Sequence, residues 1–237
     1  MSISKPRFAV LVFPGSNCDH DAYTAVKHNL GADACFVWHK ETDLGNPDVV
    51  LVPGGFSYGD YLRSGAIARF SPIMKEVVAF ANKGGLVMGI CNGFQILLEA
   101  GLLPGAMLAN EQLKFRCKTV FLKTEHAESP FSSAIPPGTL LRIPIAHGEG
   151  NYIAPEDTLK EIEDNRQVIF RYAPPKGEVI PEANPNGSVN NIAGLCNKER
   201  NVLGMMPHPE RACDPVLGSE DGKLIFNSLL QHLSAEV

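Results

Sequence analysis

The sequence predicts an α/β protein built on a doubly wound, mostly parallel sheet flanked by helices, with additional antiparallel strands in its second half. Three observations carry that expectation. Over the first 100 residues, short apolar runs alternate with helix-like stretches. The runs are apolar on both faces, as strands buried between two helix layers must be. Three of them end in glycine- or proline-rich turns, Pro14-Gly15, Pro53-Gly54-Gly55 and Gly89-Ile90-Cys91-Asn92-Gly93. In open α/β sheets that carboxyl edge is where ligands sit.

Taken in order, residues 8–13 read as a central strand. Asn17 or Asp19 then caps a helix to about Leu30, closed by Gly31. Residues 34–38 and 49–52 form the next strands. Ser71 caps a helix with Pro72 in its first turn, which runs to Asn82 and stops at Gly84-Gly85. The run Gly85-Leu86-Val87-Met88 leads into Gly89-Ile90-Cys91-Asn92-Gly93, and a helix follows as far as Gly101. Beyond it, residues 119–123, 140–145 and 168–172 read as strands without long helices between them. Asn186-Gly187 signals a hairpin turn. Residues 190–195 and 202–206 read as strands around the polar turn Asn197-Lys198-Glu199-Arg200. Ser219 caps a last helix that carries Ile225, Leu229 and Leu233 on one face. No repeat or linker divides the chain, so a single domain, 1–237, is expected.

The bulk numbers exclude several classes. A chain of 237 residues with 44% hydrophobic and 20% charged residues has an ordinary globular composition. A net charge of −5 argues against a broad grip on nucleic acid. No apolar run approaches membrane-span length. The first run is too short for a signal peptide and ends at Pro14-Gly15. The six cysteines show no C-x-x-C spacing, so reduced thiols in a cytoplasmic protein are expected.

Chemistry concentrates at Cys91. Gly89-Ile90-Cys91-Asn92-Gly93 is the G-x-S-x-G nucleophile elbow with Cys in place of Ser. Such a turn puts the side chain at the end of a buried strand and the start of a helix, where the dipole favours a thiolate. A cysteine that merely packed would not need glycine on both sides.

A nucleophile needs a base and a group to orient it. Seven histidines are available, and four have glutamate two residues on: His39/Glu41, His126/Glu128, His147/Glu149 and His208/Glu210. Spacing alone does not choose among them. The first reads as a surface pair and the second as a solvated loop. His147 follows a strand and is flanked by Gly148 and Gly150. His208 follows an apolar strand, with Pro207 and Pro209 stiffening the segment. His208/Glu210 ranks first and His147 second.

Gly54-Gly55-Phe56-Ser57-Tyr58-Gly59-Asp60 is the other dense signal. It reads as an oxyanion loop, a phosphate cradle lacking the usual Lys-Ser/Thr, or a plain strand-to-helix turn. Pro14-Gly15-Ser16-Asn17-Cys18-Asp19 reads equally as a ligand edge or a helix cap; no elbow surrounds Cys18.

Taken together, these residues resemble a known family. Gly-Ile-Cys-Asn-Gly-Phe-Gln (89–95) is similar to the nucleophile motif of class I, triad-type glutamine amidotransferases, and Pro-His-Pro-Glu (207–210) to their His/Glu motif. Residues 53–63, His147-Gly148-Glu149-Gly150, 205–211 and 14–19 narrow the resemblance to the glutaminase subunits of phosphoribosylformylglycinamidine synthases. The resemblance implies a flavodoxin-like amidotransferase fold. It implies Cys91 as nucleophile, His208 as base and then acid, and Glu210 as orienter. Gly54, Gly55, Phe56, Asn92 and Gln95 would form the oxyanion hole and glutamine site, with His147 and Glu149 secondary and no metal ligands. It further implies L-glutamine as substrate, a synthetase subunit and a small bridging subunit as partners, and ATP and Mg²⁺ used by the synthetase rather than by this chain. Two rival readings keep the elbow: a cysteine hydrolase or peptidase such as a γ-glutamyl hydrolase, and a non-catalytic thiol sensor, which would not need the His208/Glu210 pair.

Overall fold

The computed structural model describes residues 5–235. The first half alternates as expected: β1 (Arg7–Val12), α1 (Asp19–Thr24), β2 (Asp33–Trp38), β3 (Val49–Val52), α2 (Pro72–Asn82), β4 (Leu86–Ile90) and α3 (Asn92–Glu99). The second half contains β5 (Ala106–Leu108), β6 (Arg116–Thr124), β7 (Leu140–His147), β8 (Asn151–Ile153), α4 (Glu156–Asp164), β9 (Val168–Ala173), β10 (Ile192–Cys196), β11 (Val202–Met205) and α5 (Gly222–Ala235).

A nine-stranded sheet has the order β2-β1-β3-β4-β11-β10-β9-β6-β7. β2, β1, β3, β4 and β11 run parallel. The remaining pairings are antiparallel. β5 and β8 form a separate antiparallel pair. The fold class is the expected one: a mostly parallel, doubly wound half extended by antiparallel strands.

The topology fixes the chemistry's address. β11 lies beside β4 in parallel register, Gly204 opposite Gly89 and Met205 opposite Ile90. The segments that leave both strands, at Cys91 and at 206–210, therefore emerge side by side at one sheet edge. α3 lies directly behind, with every residue from Asn92 to Leu98 buried. Fully burying one of its large apolar side chains contributes roughly 2–3 kcal/mol. Phe94 packs against Tyr152 of β8, ring centroids 6.0 Å apart. Close approach of helix to sheet depends on Gly93, where a Cβ would meet the Val52 carbonyl oxygen at 1.8 Å.

Several local expectations are corrected. α1 starts at Cys18 as N-cap, and neither Asn17 nor Asp19 caps it; a π-turn, Ala25–Asn29, continues the helix toward Leu30. Ser71 is the N-cap residue of α2, yet its hydroxyl bonds Tyr58 at 3.0 Å instead of the helix. A nine-residue helix, α4, stands between β8 and β9, where no long helix was expected; a single buried residue, Ile162, left little periodic signal. β5 and β8 are only three residues each and carry no pattern in the sequence. Asn186-Gly187 makes no tight hairpin turn but lies in the long connection between the antiparallel partners β9 and β10; Asn186 is buried and bonded to His147. β10 starts at Ile192, because Asn190 and Asn191 adopt positive φ of 51° and 56°. α5 starts at Gly222 rather than after Ser219, whose hydroxyl accepts from the Asp221 N–H.

Candidate active site

Cys91 sits between β4 and α3 with φ 52° and ψ −107°. A non-glycine residue at such φ is strained, and that strain is the signature of a nucleophile elbow. Its N–H donates to the Met205 carbonyl at 2.7 Å, which ties the elbow to β11. Its Sγ faces the Ala146 carbonyl of β7 at 3.8 Å.

His208 follows β11 and is 1% exposed. Its N–H donates to the Pro144 carbonyl of β7 at 2.8 Å. Nδ1 pairs with Glu210 Oε1 at 2.6 Å, and Nε2 has no hydrogen-bond partner. Burial opposes its protonation, but the Glu210 carboxylate and then the Cys91 and Cys18 thiols outweigh it, raising its pKa well above the usual value. An imidazole whose one nitrogen is clamped by a carboxylate and whose other is free toward a thiol can take and return a proton. Gly54 shows how closely the groups converge. A Cβ there would meet His208 Cε1 at 2.9 Å, Cys18 Sγ at 3.1 Å and Cys91 Cβ at 3.4 Å.

The glycine loop crosses in front of the elbow. Gly55 has φ +135° and bridges Ser16 of the β1–α1 loop. The Phe56 N–H is committed to the Gly15 carbonyl at 3.0 Å. The Asn92 N–H opens α3 and has no acceptor within the helix. The Asn92 side chain holds the two parts together: its Oδ1 accepts from the Ser57 N–H at 3.1 Å, and its Nδ2 donates to Gln95 Oε1 at 2.9 Å. Gln95 Nε2 donates to the Glu149 carbonyl at 2.6 Å. The Glu149 carboxylate accepts from the Ser64 N–H at 3.4 Å. Burial first and the nearby Glu149 charge second raise the Asp60 carboxyl to a pKa of about 6.

His147 is buried behind this layer, and its Nε2 meets Asn186 Nδ2 at 3.0 Å. The same amide donates to the Tyr172 hydroxyl at 3.2 Å. Burial, helped by the neighbouring His208, pushes the His147 pKa down to about 3, so it stays neutral. The other two pairs stand apart from the elbow. His126 and Glu128 bind Arg166. The surface reading of His39 is corrected: the ring is 5% exposed, and its Nδ1 bonds the Tyr58 hydroxyl at 2.7 Å. A groove of about 650 Å³ along β2, lined by residues such as Arg7, Phe36, Trp38 and Glu41, includes none of Cys91, His208 and Glu210.

Sequence reasoning missed four residues that lie beside these groups. Pro144 and Ala146 act through carbonyls, which side-chain motifs cannot show. Asn186 hid inside a turn signal. Cys18 was set aside because no elbow surrounds it, yet it lies against His208.

A strained elbow thiol, a carboxylate-clamped histidine after the adjacent parallel strand and a glycine loop packed against both define an amidotransferase-type site. Residues 5–223 match the CobB/CobQ-like glutamine amidotransferase domain, and the chain belongs to that family. Within it, the chain is 60% identical to phosphoribosylformylglycinamidine synthase subunit PurQ of Salinibacter ruber, over 96% of this chain and 97% of that protein. It is 58% identical to the corresponding subunit of Moorella thermoacetica, over 94% and 95%. The structure of PurLQS from Thermotoga maritima holds a chain that superposes with a TM-score of 0.85 at 45% identity, covering 97% of this chain and 99% of that one. Among the described residues no helix is long and apolar enough to cross a membrane.

Proposed function

We propose that this chain is the glutaminase subunit of phosphoribosylformylglycinamidine synthase. It hydrolyses L-glutamine to glutamate and passes the ammonia to a synthetase subunit, which converts formylglycinamide ribonucleotide to its amidine with ATP. The observation that carries the chemistry is Cys91 at positive φ beside the buried His208–Glu210 pair.

In this reading Cys91 Sγ attacks the side-chain carboxamide. The N–H groups of Gly55 and Asn92 hold the oxyanion; losing one such donor costs about 3–4 kcal/mol. His208 Nε2 gives a proton to the departing nitrogen, because an amide anion does not leave. It then takes a proton from water, which cleaves the thioester to glutamate. Glu210 fixes the ring and stabilises the imidazolium. Phe56, whose N–H is engaged, and Gln95, whose amide is bonded at both ends, shape the walls of the site.

ATP and Mg²⁺ belong to the synthetase step, and a small bridging subunit completes the assembly in this reading. The loop carrying Gly55 supports docking beside the site: Tyr61 and Leu62 are 74% and 90% exposed on it. Large apolar groups presented to water in this way suit a protein partner. The six thiols are unpaired, which suits a reducing cytoplasm.

The deciding experiment uses Cys91→Ala in the reconstituted complex. Glutamine-dependent amidine synthesis should vanish, while synthesis from added ammonia persists. Equal loss of both would refute Cys91 as the glutaminase nucleophile.

A further inference from the structure

Cys18 lies at the centre of the site, yet glutamine hydrolysis gives it no task. Its sulfur, a His208 ring nitrogen and a Glu210 carboxylate oxygen lie within 4.8 Å of one another. All three residues are buried, and His208 Nε2 has no hydrogen-bond partner. Cys91 borders the same space. One point, the Cβ position of Gly54, lies 3.1 Å from Cys18 Sγ and 3.4 Å from Cys91 Cβ. The Cys91 sulfur is bonded to that Cβ and so lies one bond from this space.

Two thiolates and an imidazole are a donor set that selects zinc over magnesium or calcium. A zinc-binding imidazole is ordinarily oriented by a carboxylate on its other nitrogen. That bond is already present between His208 Nδ1 and Glu210 Oε1 at 2.6 Å. Arg211 Nη2 donates to Cys18 Sγ at 3.1 Å, a contact that a metal-bound thiolate also accepts.

We propose that Cys18, Cys91 and His208 form an inhibitory site for a zinc-type divalent cation, with Glu210 orienting His208. Each thiol releases a proton to solvent as its sulfur–metal bond forms, and His208 likewise gives up the proton on Nε2 before that lone pair binds the ion; no electron is transferred. The bound ion occupies nucleophile and base together, so glutamine hydrolysis stops. The proposal rests on Cys91 and His208 being the glutaminase pair. Cys18 separates it from simple thiol poisoning, because it adds a donor that turnover does not use.

Co²⁺ titration of the full chain tests binding without activity. Thiolate-to-cobalt charge-transfer absorption should saturate at one ion per chain, lose about half its intensity in Cys18→Ser, and show affinity weakened roughly 10- to 100-fold. In the synthetase complex, Zn²⁺ should block glutamine-dependent but not ammonia-dependent turnover, reversibly with chelator. Measured against its own zinc-free glutamine turnover, Cys18→Ser should need at least about tenfold more zinc for half inhibition, about 1.4 kcal/mol of binding. Absence of charge-transfer absorption in the unmodified chain overturns the proposal. So does a Cys18→Ser or Cys18→Ala variant with unchanged cobalt spectrum and zinc sensitivity. A Cys91→Ala variant that still hydrolysed glutamine would overturn the catalytic reading instead, whatever the metal does.

Discussion

The histidines at 208 and 147 show one residue type driven in opposite directions by its partners. His208 has a carboxylate 2.6 Å from Nδ1, and its protonated form is favoured despite burial. Glu210→Gln removes that support. The expected result is a glutaminase rate lower by on the order of 10²-fold or more. The limb of the pH profile that belongs to His208 should also move to lower pH; an unmoved limb would dissociate Glu210 from the base. His147 is held neutral, its pKa pushed down to about 3 by burial. Between about pH 6.5 and 3 the unfolded chain therefore takes up a proton that the folded chain refuses, so stability falls as pH falls through that window, by at most about 1.4 kcal/mol per pH unit. His147→Gln should flatten this slope in urea titrations run from pH 7 to 4. Parallel slopes for the two proteins would show that His147 does not titrate there.

At the scale of elements, the elbow works because β4 and β11 are parallel neighbours and because two glycines let other groups approach closely. Gly93→Ala puts a methyl against the Val52 carbonyl and is expected to cost about 3 kcal/mol or more. Gly54→Ala meets His208 Cε1 and two cysteine side chains instead. It should lower kcat severely with a much smaller loss of stability; a large drop in Tm with kcat retained would contradict that division. The elbow, the Pro-flanked His208/Glu210 pair and the apolar strands were legible, since each leaves a local sequence signal. Spacing alone did not choose among the four His-x-Glu pairs, because the answer depends on which strand lies beside β4; the flanking prolines favoured His208. α4, β5 and β8 escaped because so few of their side chains are buried. The backbone carbonyls of Pro144 and Ala146 escaped because any residue type supplies them.

At the scale of the molecule, hydrolysis has to be coupled to synthesis, and the loop that carries Gly55 runs into the exposed Tyr61 and Leu62. The chain alone is expected to release glutamate slowly and to accelerate when the synthetase subunit is added. A high, partner-independent rate would count against that coupling. β7, last in the sheet order, holds a carbonyl against both members of the proposed catalytic pair, Pro144 on the His208 N–H and Ala146 on Cys91 Sγ. Among the described residues its ladder partner in the sheet is β6 alone. Peeling of that one border would release both clamps while the parallel half stays intact, because local opening costs less than global unfolding. Activity on heating is then expected to disappear before the far-ultraviolet signature of the fold does; coincident loss of the two would show that this border opens only with the whole fold.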